Sequence, residues 1–104
     1  MAYTGSCHCG FEWDTEKERT NREKHVLTFE EVTELFTGGT DYLELYDQAH
    51  AIEEERFIAI GPIARGIIVV VYTERQEDVI RIISARKASK REASLFWEFR
   101  GDRG

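Results

Sequence analysis

The sequence has one proline (Pro62), one methionine and two cysteines (Cys7 and Cys9), and these scarcities exclude a good deal. Eight glycines and one proline in 104 residues rule out a low-complexity or fibrous chain. Cysteines one residue apart cannot staple distant segments, so no disulfide framework exists. A tetrahedral zinc site needs about four ligands. Cys7, His8 and Cys9 stand too close together to supply three, so neither a metal nor a cofactor is expected. The longest apolar run, Ile67 to Tyr72, is far short of the ~20 residues that span a bilayer. No basic segment followed by an apolar core lies near Met1. These features predict a cytoplasmic protein without membrane attachment.

What remains is one domain's worth of chain, since domains run to roughly 100–150 residues. Residues 1–10 read as a flexible leader, 11–100 as the domain and 101–104 as a tail. The net charge of −6 conceals a division. Residues 1–55 carry 14 acidic and 4 basic side chains, a net of −10, whereas residues 56–104 carry 6 acidic and 10 basic, a net of +4. Such asymmetry points to a one-sided basic surface, and arginine suits planar recognition of phosphate.

Periodicity predicts an α+β fold. Phe11-Glu12-Trp13 reads as a short strand or apolar anchor, and Asp14 or Thr15, with Glu18 completing a capping box, starts a polar helix to about Lys24. Thr28 and Glu31 cap a second helix that carries Phe29, Val32, Leu35 and Phe36 and ends at Gly38-Gly39. Strands follow at 42–46, 56–60, 67–73 and 79–85, with Gly61-Pro62 as a turn between two of them. Ser89 with Glu92 caps a last helix. The expected architecture is an antiparallel sheet of about four strands with two N-terminal helices and one C-terminal helix.

Three features carry chemistry. Lys17, Asn21, Lys24 and His25 form one helical stripe, and His25 is its only candidate proton shuttle. In the last strand, alternation sets Arg81 with Val79 and Ile83 on one face, and Ser84 with Arg86 on the other. Arg81 therefore interrupts an apolar face and needs a carboxylate, for which Glu53 to Glu55 are at hand, or a ligand. Arg86, Lys87, Lys90 and Arg91 form a basic run without an acid, and Arg56 and Arg75 stand at strand ends. There is no phosphate-cradling glycine loop and no G-x-S-x-G elbow. Arginines, lysines, one histidine and hydroxyls suit metal-free RNA cleavage, in which the 2′-hydroxyl attacks the adjacent phosphorus and cations hold the developing charge.

The segments Phe11-Glu12-Trp13-Asp14, Lys17, Asn21, Lys24-His25 and Thr28-Phe29-Glu30-Glu31 resemble the opening of the BrnT-type ribonuclease toxins. Glu55-Arg56-Phe57, Ile60-Gly61, Val70 to Arg75, Ile80 to Ala88 and Lys90-Arg91-Glu92 extend the resemblance over about residues 11–97. It implies a RelE-like fold and an endoribonuclease that blocks translation. It also implies a ribbon-helix-helix antitoxin of the BrnA kind, a toxin dimer within a hetero-tetramer, and operator DNA bound only through the antitoxin. By position, the resemblance implies Lys24, His25, Arg56, Thr73, Arg75, Arg81, Ser84 and Arg86 as the active face, and their chemistry suggests His25, Arg56, Arg81 and Ser84 as catalytic. Arg81 and Arg56 would hold phosphorane charge and His25 would move a proton. Lys17, Asn21, Lys24, Thr73, Arg75, Arg86, Lys87, Lys90 and Arg91 would bind RNA. Val26 stands where the family has glycine, Ile67 where it often has arginine, and Phe96 near where it has tyrosine. A second reading follows from those departures: a weakly active or inactive toxin fold that pairs with an antitoxin and modulates repression.

Overall fold

β-Branched and aromatic residues concentrate between positions 57 and 87, and there the chain forms its three long strands. The computed structural model describes residues 10–39, 41–47, 55–75 and 79–101. The elements are β1 (Gly10–Trp13), α1 (Thr15–His25), α2 (Phe29–Val32), α3 (Glu34–Thr37), β2 (Leu43–Tyr46), β3 (Phe57–Ile63), β4 (Gly66–Arg75), β5 (Val79–Lys87) and α4 (Lys90–Arg100). The leader, save Gly10, the tail after Gly101 and the polar turn 76–78 lie outside the described residues.

The α+β class is as expected, and β2 to β5 form the anticipated antiparallel meander. A fifth strand joins them: β1 pairs in parallel with β5, Glu12 opposite Arg81 and Trp13 opposite Ile82, giving the order β1-β5-β4-β3-β2. Alternation explains the insertion, because Phe11 and Trp13 both turn inward, against Phe36 and Phe29 respectively at 5.9 Å between ring centroids. On this inner face Ala59, Ile68, Val70, Tyr72, Ile80, Ile82 and Ala85 pack beneath Leu27, Phe29, Val32 and Leu35. On the opposite face α4 lays Phe96 over Ile60 and Val69. The Tyr72 hydroxyl donates to Glu44 of β2, and burial together with that carboxylate pushes its pKa up.

Local chemistry departs from expectation at three points. The helix-1 cap is Asp14, whose carboxylate accepts the Glu16 N–H at 2.8 Å. Glu18 is not its capping partner and instead pairs with Arg22 at 3.0 Å. The second helix divides into α2 and α3 at Thr33, whose hydroxyl donates back to the Glu30 carbonyl and tightens the turn. Gly61 and Pro62 are not a turn but lie inside β3. A Cβ at Gly61 would stand 2.6 Å from Leu35 Cδ1, so the glycine admits α3 against the sheet. Pairing with β2 stops at Ile60, leaving Pro62 on a stretch of edge where a missing N–H breaks no ladder. The chain reverses instead at Ala64-Arg65, before Gly66 at φ +125°.

α1 buries one residue, Asn21. Its stability comes from position and from exposed pairs such as Arg19 with Glu16 and Glu23. β1 covers the outer edge of β5 only as far as Ile82, and α1 covers the rest. Asn21 Oδ1 accepts the Ala85 N–H at 3.0 Å, satisfying an edge donor that a further strand would otherwise take. The helix ends at Val26, which adopts φ 59° and ψ 27° although it is β-branched. A left-handed residue other than glycine costs about 1–2 kcal/mol, and part of that is recovered by avoiding glycine's unfolded-state entropy. Val26 is 62% exposed and gives little packing in return. Val26→Gly is therefore expected to stabilise the fold by about 0.5–1 kcal/mol. Calorimetry should find Tm raised by about 4 °C, and a fall in Tm would contradict the strain argument.

Candidate active site

Antiparallel neighbours directly opposite one another point to the same face of a sheet. Simple alternation along β5 placed Arg81 on one face and Ser84 with Arg86 on the other, but a register shift between Val71 and Tyr72 changes that outcome. Arg81 lies opposite Thr73, Ser84 opposite Val71 and Arg86 opposite Val69, and Val69 packs toward α4. Ile83 is the extra residue of the resulting bulge, so Arg81, Ser84 and Arg86 share the α4 face. Phe96 covers only the β3–β4 part of that face, at Ile60 and Val69.

At the β1 end stands an arginine cluster. Arg81 Nη1 donates to Glu12 Oε2 at 3.0 Å, and Arg75 Nε lies 3.7 Å from the same oxygen. Among the described residues the carboxylate that answers Arg81 is Glu12, which parallel pairing sets opposite it, while Glu53 and Glu54 lie outside them. Side-chain exposures of 32% for Arg81, 39% for Glu12 and 51% for Arg75 leave the cluster open to a ligand. Thr73 is brought alongside but is buried, and its hydroxyl donates to the Glu55 carbonyl at 2.6 Å. That bond draws the Glu55–Arg56 segment to the sheet, with Arg56 just before Phe57, the partner of Tyr72.

A second group of candidates gathers along α1. Lys17, Asn21, Lys24, His25 and Ser84 line an open cleft of about 380 Å³ between α1 and the bulge. Asn21 is only 6% exposed; its oxygen is committed to Ala85, and its Nδ2 has no hydrogen-bond partner. Lys24 and His25 also border a groove of about 410 Å³ with Val26, Arg65, Arg86 and Lys87. Arg86 there makes a two-pronged pair with Glu92, both contacts 2.7 Å, and Glu92 also caps α4 through the Ser89 N–H. The guanidinium beside it holds the Glu92 carboxyl down at about 2. Arg65 is held likewise by Glu31, the capping residue of α2, at 2.8 Å. Lys90 and Arg91 lie exposed on the first turn of α4, apart from both clefts.

The two groups are separated along the sheet. From Arg81 to Ala85, which Asn21 touches, is about 13 Å of strand, and His25 lies another helical turn, about 6 Å, beyond Asn21. Arg81 and His25 thus mark opposite ends of one strip. Phe96 is fully buried and belongs to the core rather than to either end. Sequence reasoning did not single out Glu12 or Arg65 as site residues. Glu12 lies inside the strand-like Phe-Glu-Trp triplet, and only the parallel register reveals it. Among the described residues no three His, Cys, Asp or Glu side chains gather as a metal site would require, and no helix is long and apolar enough to cross a membrane.

The fold agrees with comparison to known proteins. The 1.1 Å crystal structure of the Brucella abortus ribonuclease toxin BrnT is similar at 29% sequence identity, with a TM-score of 0.63, across 78% of this chain and 97% of that one. No curated protein matches the sequence. The model of the family described as "Ribonuclease toxin, BrnT, of type II toxin-antitoxin system" matches residues 13–92. That span takes in α1, the whole of β5 and the arginine cluster except Glu12, and the chain belongs to this family of type II ribonuclease toxins.

Proposed function

We propose that this protein is a metal-independent endoribonuclease toxin that cleaves RNA by 2′-hydroxyl attack and so inhibits translation. The observation that carries the reading is the bulge in β5, which gathers Arg81, Ser84 and Arg86 on one open face. Arg81 and Arg75, with Arg56 beside them, receive the scissile phosphate and stabilise the charge that grows on it. Lys17, Lys24, Asn21 and Ser84 hold a flanking phosphate in the α1 cleft. His25, at the far end of the strip, contacts the backbone beyond it together with Arg65, Arg86 and Lys87. Lys90 and Arg91 add long-range attraction that salt weakens.

An antitoxin partner is inherent in a type II system. We infer that this protein works in the cytoplasm and that its antitoxin is a BrnA-like ribbon-helix-helix protein that lays acidic and aromatic groups over the arginine face. It would carry the toxin to operator DNA within a hetero-tetramer. The catalytic reading is tested by incubating the purified protein with labelled single-stranded RNA in EDTA and mapping the ends. Fragments ending in 2′,3′-cyclic phosphate are expected. If none appear, with or without translating ribosomes, the protein is instead a toxin-fold binding module, which growth without the antitoxin would confirm by the lack of arrest.

A further inference from the structure

Cleavage by the 2′-hydroxyl needs a proton acceptor beside the phosphate under attack, and His25 stands at the other end of the strip. We propose that Glu12 is this acceptor, a carboxylate set between Arg75 and Arg81 where the scissile phosphodiester docks. The inference rests on the RNA-cleavage reading and deepens it by naming the base.

Position argues for it first. The hydroxyl that attacks and the phosphorus it attacks belong to adjoining groups, so the base must adjoin whatever holds the phosphate. Glu12 Oε2 is 3.0 Å from Arg81 Nη1 and 3.7 Å from Arg75 Nε, so an anion bound by these two guanidiniums lies next to it. Access argues for it too, since Glu12 keeps 39% of its side chain exposed. Ion pairs this exposed contribute little to stability, so a structural role alone explains the arrangement poorly. A rival among the described residues is Glu55, whose backbone carbonyl accepts the Thr73 hydroxyl. No contact joins the Glu55 side chain to Arg75 or Arg81.

The chemistry closes without a further reactant except water. As RNA docks, Arg75 and Arg81 exchange the carboxylate for non-bridging phosphate oxygens, which frees the lone pairs of Glu12. Glu12 takes the 2′-hydroxyl proton while the O2′–P bond forms. The P–O5′ bond breaks, its electron pair stays on the 5′-oxygen, and that oxygen takes a proton from water. The hydroxide left behind recovers the proton from Glu12. The products are a 2′,3′-cyclic phosphate and a 5′-hydroxyl.

The test compares the full-length protein with Glu12→Gln, Glu12→Asp and Glu55→Gln, following kcat and KM on a labelled single-stranded RNA oligonucleotide. Glu12→Gln should lower kcat by about 10²–10⁴-fold, with KM unchanged or lower because a negative charge has left the RNA face. Glu12→Asp should retain more of kcat than Glu12→Gln, and Glu55→Gln should match wild type. A Glu12→Gln kcat within threefold of wild type, or an effect confined to KM, overturns the proposal, as does a loss found only in Glu55→Gln. If Glu12→Gln does not fold, a Glu12→Asp enzyme with wild-type kcat overturns it equally. Wild-type protein that cleaves no RNA would instead defeat the function itself, and the two failures are distinct.

Discussion

Arg81→Ala is expected to lower kcat for RNA cleavage by about 10²–10³-fold while leaving the fold intact. The guanidinium projects from β5 with 32% of its side chain exposed and reaches Glu12 at 3.0 Å. Deleting it removes a fixed, planar, always-charged donor from the place where phosphorane charge develops. It also leaves Glu12 less compensated and facing RNA, so KM should rise as well. Stability should change by no more than about 1 kcal/mol, the usual scale of an exposed pair. Arg81→Lys should recover part of the lost KM and little of kcat, because a point charge cannot replace the planar fork. Single-turnover cleavage beside a melting curve checks both halves, and equal cleavage by wild type and Arg81→Ala would remove Arg81 from the mechanism.

Phe96→Ala should have the largest effect on stability, about 3–5 kcal/mol. Phe96 is 0% exposed and is the one buried residue of α4. It fills the space above Ile60 and Val69, and Trp97 and Phe99 flank it with ring centroids at 5.1 and 6.4 Å. Truncation therefore removes transfer energy and opens a cavity that partly exposed neighbours only partly fill. Tm should fall by about 12 °C or more, and α4 should lose its protection from hydrogen exchange before the rest of the sheet. Phe96→Leu, which keeps most of the volume, should cost much less. A small effect of Phe96→Ala would mean that α4 contributes little to the fold.

The sequence made the antiparallel meander and two of the three capping boxes legible, since each rests on chemistry within a few residues. Thr28 with Glu31 and Ser89 with Glu92 need only a hydroxyl and a carboxylate three places apart. What escaped was set by partners distant in sequence. The polar face of α1 has no apolar reason to exist until the open edge of β5 is seen beside it, with Asn21 on the Ala85 N–H. The face shared by Arg81 and Arg86 depends on one extra residue in β5, and alternation misses a bulge because it assumes strict two-residue periodicity. Gly61 looks like a turn because close approach to Leu35 and a bend both call for glycine. The candidate residues were therefore found as types, while their division between the two ends of the strip was visible only in the fold.

The pairing of β1 with β5 has a consequence in time. Glu12 and Arg81 are 69 residues apart, and Asn21 and Ala85 are 64 apart, so both ends of the strip close only when the last strand is present. At a synthesis rate of roughly 5–20 residues per second, the halves of the arginine cluster leave the ribosome about 3–14 s apart. Until then β1 has no neighbour to pair with, and contacts of such long range are also the slow ones in folding. The strip thus comes into being only once β5 has been synthesised, and a chain truncated before β5 cannot assemble it.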